Sequence, residues 1–297
     1  MERERWSELS AAIFDVARAV KSDPRATHPI DLIVRVYLWA VLHDRPVCWA
    51  CDPRNWDRRT RPKALPSQPT MSRRTRSEAF DRFLAALARR LRGRDLPALI
   101  KRIDGKALPV AIHSKDPDAK IGRGTGGLQK GYKLHAVCGE APMPEAFEIQ
   151  PLNVDERVVA VRLMGELRGR GEGYVLADVN YDSNAVHDAA LARGCQLLAY
   201  RRKDRRYTST ARRRHSPGRL RSIDLLEPGP NRPCAFGRGM LANRRAIERT
   251  FGNATWFGGG LTLPPFVRRL HRVRAWVTAK LLINAARIRR RRHTRVA

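Results

Sequence analysis

Three acidic residues stand where a folded chain could use them on phosphodiester bonds: Asp104, Asp178 and Glu248. Asp178 directly follows the apolar run from Tyr174 to Ala177. An apolar run that ends on a carboxylate is typical of a strand that delivers an acid to the edge of a sheet. In a chain so rich in arginine, a carboxylate in such a setting needs a specific reason.

Convergence of these carboxylates would create a site for two divalent cations. In enzymes that cut phosphodiester bonds, the two ions sit about 3.5–4 Å apart and stabilise the attacking and leaving oxygens. Mg²⁺ suits such a site because it takes hard oxygen ligands and keeps several waters, and Mn²⁺ is possible. We expect Asp104 on a central strand, Asp178 at the end of the neighbouring parallel strand, and Glu248 on a helix packed against the sheet. All three are therefore predicted to be catalytic and to bind the metal ions.

Two of these acids also have a plainer interpretation as local structure formers. Asp104 precedes Gly105, and Asp-Gly is a common turn pair. Asp178 is a candidate helix cap, although Asp182 and Ser183 are better placed for capping. We therefore expect Asp182 and Ser183 to start the following helix.

Glu248 has a plain alternative as well, as a surface helix residue that pairs with Arg244 or Arg245. On the strand predicted after Asp104, Lys133 is a candidate DNA contact. His135 on that strand is either a second DNA contact or a structural residue.

The charge balance points to a polyanionic partner. The 297 residues include 59 Lys and Arg against 29 Asp and Glu, for a formal net charge of +30. A field of that sign favours nucleic acid. A ribosomal or chromatin-type binding protein, or a genome that uses arginine freely, would give a similar balance.

No run approaches the roughly 18–20 apolar residues of a membrane span. The charged N-terminus also lacks a following signal-type apolar segment, so we expect a cytoplasmic, nucleoid-associated protein with no membrane partner. Five scattered cysteines fit reduced thiols. Cys48 and Cys51 form a lone C-x-x-C, for which the alternatives are a metal site and a buried helix end.

The order of predicted elements indicates an α/β fold. Three strands joined by short connections should pair antiparallel, and two later strands that follow helices should add in parallel. That is the order of an RNase H-like core, a mixed sheet flanked by helices. The predicted strands are 99–112 (with a turn at Asp104-Gly105), 131–137, 146–149, 174–177 and 196–200, and the intervening helices are 155–167 and 183–193.

The region before this core is predicted to be a separate all-helical, DNA-binding region over residues 1–95. Arg73 and Arg74 lie on a short helix next to a turn, an arrangement that suits contact with DNA. A small helical cap with a basic outer face is the alternative. Residues 96–292 are predicted to be the catalytic domain, with 201–240 as an exposed basic loop insertion broken by prolines. Residues 293–297 are predicted to be a basic tail.

Several motifs, taken in order, resemble those of the DDE transposases of bacterial insertion sequences. Ile103-Asp104-Gly105 is similar to the family's first-acid strand, and Gly131-Tyr132-Lys133-Leu134-His135 to the strand that follows it. The second-acid turn resembles Ala177-Asp178-x-x-Tyr181-Asp182-Ser183. The third-acid region resembles Arg244-x-x-x-Glu248-Arg249-Thr250-Phe251-Gly252, followed by Arg268-Arg269-Leu270.

The resemblance, from about residue 102 to 288, implies a transposase that binds the terminal inverted repeats of its mobile element. Such an enzyme hydrolyses a phosphodiester bond at each end and uses the freed 3′-hydroxyl to attack target DNA. The implied partners are double-stranded DNA and a second copy of the chain, as a homodimer or higher assembly in the synaptic complex. The resemblance implies two Mg²⁺ ions on Asp104, Asp178 and Glu248, and DNA contacts from Arg244, Arg268 and Arg269.

Two departures from the family pattern concern how a DNA hairpin is handled and how large the chain is. Some relatives carry Tyr three residues before the Arg and a basic residue seven after the Glu, where this chain has Leu241 and Thr255. The segment before the Glu248 helix is also too short for the large β insertion domain of some members. A non-catalytic DNA-binding descendant and an RNase H-like nuclease without strand transfer are the alternative functions.

Overall fold

A computed structural model describes residues 2–20, 26–93, 98–124, 126–167, 173–201, 214–226, 235–255 and 260–296, without the side chains of 2–5, 238, 245, 249–250, 253–255 and 293–296. The α-helices are α1 (Glu2–Ala19), α2 (Ile30–Leu42), α3 (Val47–Ala50), α4 (Gln68–Arg74), α5 (Glu78–Arg92), α6 (Glu156–Glu166), α7 (Asn184–Leu191), α8 (Pro217–Leu226), α9 (Ala235–Ala242), α10 (Ala246–Thr255) and α11 (Leu270–Val296). The strands are β1 (Ile100–Pro109), β2 (Lys120–Gly124), β3 (Gly127–Cys138), β4 (Ala146–Pro151), β5 (Gly173–Leu176) and β6 (Cys195–Leu198). None of these helices is long and apolar enough to cross a membrane.

The strands form one mixed sheet in the order β2-β3-β1-β5-β6, with β4 also paired to β3. Strands β1, β3 and β4 pair antiparallel, whereas β5 and β6 join in parallel. Helices α6 and α7 precede β5 and β6, as parallel connections require. The antiparallel-then-parallel order agrees with the prediction and is compatible with an RNase H-like DDE domain. Strand β2 is an addition, because no strand was predicted between residues 112 and 131.

The expected turn at Asp104-Gly105 does not form, and this prediction was wrong. Strand β1 passes straight through both residues, and β3 pairs with it from Arg102 to Pro109. A long partner strand supplies hydrogen bonds on either side of Gly105, which favours extension over a turn. The glycine instead provides space, because a Cβ there would lie 2.9 Å from Cδ of Lys133 on β3.

Apolar side chains cover both faces of the sheet, since alternate residues of a strand point to opposite sides. One face packs against α6 and α7, through buried residues that include Ile103, Val159, Leu163, Val175, Val186 and Leu197. The other face packs against α8 and α9, through residues that include Ile100, Leu176, Leu198, Leu226, Met240 and Leu241. Asp104 is in phase with Ile100 along β1, so its side chain belongs to this second face.

The chain divides into two compact units, residues 95–252 around the sheet and a helical unit of residues 1–94 and 253–297. In the helical unit, α1, α2, α5 and α11 pack on one another. The rings of Trp6 and Trp39 meet edge to face at 4.9 Å, and Trp39 stacks on Trp56 at 4.6 Å. The predicted boundaries placed α11 with the catalytic domain. Its buried residues, among them Val273, Val277 and Leu282, need apolar partners, and α1, α2 and α5 provide them.

Two basic segments differ from their predictions. Part of the expected loop over residues 201–240 is helical, because α8 begins at Pro217 and α9 follows. Proline is tolerated at the first position of a helix, where its missing N–H would have no helical partner. The rest of that loop, 202–213 and 227–234, lies outside the described residues. The predicted tail is also helical, since α11 continues to Val296.

Candidate active site

Asp104 lies in the middle of β1, and its carboxylate is largely buried. Its Oδ1 accepts a hydrogen bond from the backbone N–H of Gly105 at 2.7 Å. The pKa of Asp104 is raised to about 6, chiefly by burial, and the charges of Asp178 and Glu156 contribute to the rise. The Gly105 N–H and the Arg244 guanidinium act in the opposite direction. Asp104 therefore sits in a locally acidic environment that a cation would relieve.

Asp178 lies two residues after Leu176, the last residue of β5. The β1–β5 ladder runs from the pair Ile100–Tyr174 to the pair Arg102–Leu176, which precedes Asp104 and Asp178 by two residues on each segment. The Asp178 carboxylate accepts from the backbone N–H of Asn180 at 2.9 Å and from its side-chain amide at 3.1 Å. It thereby caps the 3₁₀ turn Val179–Tyr181, so the capping interpretation and the site interpretation apply to the same side chain.

Helix α7 starts directly after Asp182 and Ser183, as expected, with Ser183 at the N-cap position but without a side-chain cap bond. The buried Asp182 carboxylate accepts from Arg219 of α8 at 2.6 and 2.7 Å and lies 3.3 Å from Nε2 of His187. These buried contacts give Asp182 a structural role that joins α7 to α8.

Glu248 lies in the first turn of α10, and its side chain is exposed. The charges of Asp178, Glu156 and Arg244 act on Asp104, whereas Glu248 is not among the groups that shift its pKa. Within the described ranges, no group of three or more His, Cys, Asp or Glu side chains is arranged to hold a metal ion.

Glu156 is the acidic neighbour that sequence analysis missed. It occupies the first position of α6, after the N-cap Asp155, and its Oε1 forms an ion pair with Nζ of Lys133. The only sequence signal was an acidic pair at a predicted helix start, which is an ordinary capping pattern. Its proximity to Asp104 depends on how α6 packs against the sheet.

The predicted DNA contacts fall into two groups by exposure. Arg73, Arg268 and Arg269 are exposed, and Arg74 and Arg244 are half-buried. The backbone of Arg269 is left-handed, with φ of 74°.

Lys133, a predicted DNA contact, has a side chain that is only 11% exposed, and its ammonium pairs with Glu156. His135 is fully buried and its ring nitrogens have no hydrogen-bond partner among the described residues.

The cysteine pair also differs from its predicted buried helix end. Cys48 lies in the short helix α3 and is exposed, and Cys51 follows the end of that helix and is half-buried. The Cys51 thiol donates to the carbonyl of Val47 at 3.3 Å. Trp256, a candidate either for stacking on a base or for a core position, lies outside the described residues.

Asp104 and Asp178 fit a divalent ion in charge and donor type. They offer hard carboxylate oxygens, which Mg²⁺ and Mn²⁺ prefer, from β1 and from the turn that follows its parallel neighbour β5. The raised pKa of Asp104 reflects its burial first, and then the negative charges of Asp178 and Glu156. The pair supplies two ligand groups, so a two-ion site needs further carboxylate oxygens from elsewhere.

This acid pair lies within a segment that matches a known family. Residues 99–289, well over half of the chain, match the model described as the transposase DDE domain. The chain belongs to the transposase DDE domain family. Membership indicates an enzyme that cuts and transfers nucleic-acid strands, acts on DNA and uses divalent metals as the family generally does. A search of curated proteins gave no match.

Proposed function

We propose that this chain is the DNA transposase of a bacterial insertion sequence. It binds the terminal inverted repeats of its element, cleaves a phosphodiester bond at each end and joins the freed 3′-hydroxyl to target DNA. Asp104, Asp178 and Glu248 are the catalytic and metal-binding residues in this proposal. Two copies or more act together, since both ends must be held for joining.

The observation that carries this proposal is the parallel pairing of β1 with β5, whose last pair, Arg102–Leu176, precedes Asp104 and Asp178 by two residues on each segment. Two acids far apart in the chain thereby come close enough for the charge of Asp178 to act on Asp104. Burial and mutual repulsion raise the pKa of Asp104 to about 6. Acids with a purely structural role would form ion pairs with basic side chains, as Asp182 does with Arg219. An acid pair that is only partly compensated is typical of a metal site.

Divalent ions bound here, Mg²⁺ or Mn²⁺, would supply Lewis-acid stabilisation of the attacking and leaving oxygens. Asp104 and Asp178 would hold them from the sheet, and Glu248 would add the third carboxylate from α10. Arg244, whose charge acts on Asp104, is placed to orient a phosphate beside the acid pair.

Further DNA contacts are assigned to arginines of the helical unit. Arg73 and Arg268 are exposed there, Arg74 is half-buried, and Arg269 flanks the start of α11. Contacts of this kind hold the phosphate backbone in register and make affinity fall as salt rises. The basic composition of the chain supports the same assignment. We place the working protein at the nucleoid.

Purified protein is to be incubated with Mg²⁺ and a labelled DNA end that carries the inverted repeat flanking its gene. We expect nicking at the end and joined products with a plasmid target, both abolished by Asp178→Ala. Asp188→Ala is the matched control, because Asp188 is an exposed acid on α7. Undiminished nicking by Asp178→Ala would remove the proposed site. Nicking without joined products would indicate a nuclease, and binding without nicking a non-catalytic descendant.

A further inference from the structure

The hydroxyl of Tyr181 is a buried polar group that the proposed chemistry leaves unused. Tyr181 ends the 3₁₀ turn that Asp178 caps, and its ring is fully buried in the apolar cluster with α6 and α7. Within the described part of the chain, its hydroxyl has no hydrogen-bond partner. An unsatisfied hydroxyl in an apolar setting is costly, so it calls for a functional reason.

Three carboxylates act electrostatically on this hydroxyl. Burial has the largest effect and holds the pKa of Tyr181 well above its usual value, and Glu156, Asp104 and Asp178 add to the shift in that order. A phenol hydroxyl donates a hydrogen bond, and a carboxylate accepts one. Two of the three carboxylates are acids of the candidate site, and the third, Glu156, pairs with Lys133.

We propose that Tyr181 is a positioning residue of this site, whose hydroxyl donates a hydrogen bond to a site carboxylate when a divalent ion is bound. The inference rests on the proposed function, because it takes Asp104 and Asp178 as metal ligands. Carboxylates that bind metals are commonly held by a second partner, and loss of such a partner weakens metal affinity about 10–100-fold. Tyr181 is suited to that task, since its turn also carries Asp178.

Tyr181→Phe removes the hydroxyl and keeps the ring in its apolar cluster. In EDTA we expect this variant to unfold at the same temperature as the wild type or higher, because an unsatisfied group is lost. The Mg²⁺ concentration for half-maximal thermal stabilisation should rise about tenfold. The Mg²⁺ concentration for half-maximal nicking should rise in parallel.

Tyr132→Phe is the matched control on the same sheet. The buried hydroxyl of Tyr132 donates to Asp116 at 2.7 Å, so its removal should lower the unfolding temperature in EDTA without changing the Mg²⁺ dependence. If the wild type responds to Mg²⁺ and Tyr181→Phe shows the same Mg²⁺ dependence, this inference is overturned but the proposed function is not. A wild type without any response to Mg²⁺ would overturn the proposed function and this inference with it.

Discussion

The guanidinium Nε of Arg102 donates a hydrogen bond to the backbone carbonyl of Asn243 at 2.7 Å. Arg102 precedes Asp104 by two positions on β1 and is almost fully buried. Asn243 begins the short 3₁₀ turn that contains Arg244 and leads into α10. One side chain therefore ties the strand of the first acid to the helix that carries Glu248.

Arg102→Gln is expected to loosen α10 from the sheet. A hydrogen bond from a charged donor contributes about 1.5–3 kcal/mol, so its loss should speed local opening by roughly tenfold or more. Hydrogen exchange of the backbone amides over residues 243–252 measures this directly. Nicking should fall with it, because Glu248 and Arg244 lose their attachment to β1.

The control for this variant is Arg162→Gln, another sheet-unit arginine whose guanidinium pairs with Glu148 at 2.9 Å but is 44% exposed. Exposed pairs contribute about 0–1 kcal/mol, so exchange over 243–252 should stay at the wild-type rate. Equal exchange in the wild type and Arg102→Gln would refute the anchoring role.

Asp104→Asn is expected to stabilise the protein in EDTA at neutral pH. Burial raises the pKa of Asp104 to about 6, so the folded state binds this proton more tightly than the unfolded state. The contribution of Asp104 to stability is therefore greatest below about pH 4 and is lost as pH rises through 6. A shift of about two pKa units corresponds to about 3 kcal/mol. The variant should exceed the wild type by about that amount at pH 7.5, and by much less at pH 4.5.

Denaturant unfolding at the two pH values measures this difference. Asp188→Asn, a change at an exposed acid of α7, should match the wild type at both. Added Mg²⁺ should stabilise the wild type at pH 7.5 and leave Asp104→Asn unchanged, because only the wild type keeps the ligand. A pH-independent difference between the two proteins would contradict the burial of an ionised Asp104.

In the ion pair between Asp44 and Lys280, removal of the Asp44 charge should destabilise the protein more than removal of the Lys280 charge. The Lys280 side chain is 5% exposed on α11, whereas Asp44 is 31% exposed. Asp44→Asn leaves a buried cation without its carboxylate and should cost about 2 kcal/mol, less than for a fully buried pair. Asn also tolerates the left-handed backbone at this position, where φ is 53°, so the substitution tests the charge.

Lys280→Met keeps the length of the side chain and removes the buried charge, so it should cost less than Asp44→Asn. Its remaining partner, Asp44, is exposed enough to be hydrated. Urea unfolding of both variants and of the double variant gives the comparison. A larger cost for Lys280→Met than for Asp44→Asn would contradict this expectation. It would show that the ammonium group itself stabilises the fold.

Two cysteines should differ sharply toward iodoacetamide at pH 8. Cys48 is exposed, whereas Cys138 is buried on β3, and burial raises the pKa of its thiol to about 12. The thiolate is the reacting form, so Cys138 should stay unmodified in the folded protein and react only after denaturation. Peptide mass spectrometry before and after urea gives the test, with Cys48 as the internal control. Equal modification of both in native buffer would contradict the burial of β3.

The local pattern of the chain was sufficient for most of the elements. Helices α1, α2 and α5 lie within the region predicted to be all-helical, and Ser77 accepts from the N–H of Phe80 as the N-cap of α5. The run before Asp178 is a strand, and the alternation of helices and strands predicts the parallel side of the sheet. These features depend on residues a few positions apart, which periodicity and capping report directly.

Contacts between distant segments could not be predicted from local periodicity and capping. The pairing of β3 along β1 turned an expected Asp-Gly turn into continuous strand, and the packing of α6 brought Glu156 to Lys133 and within electrostatic range of Asp104. Burial of the apolar side of α11 placed that helix with α1, α2 and α5 rather than with the sheet. The sequence by itself determined which acids stand at strand ends and helix starts. The tertiary structure decided which of them meet, because strand register and helix packing depend on surfaces contributed by the whole chain.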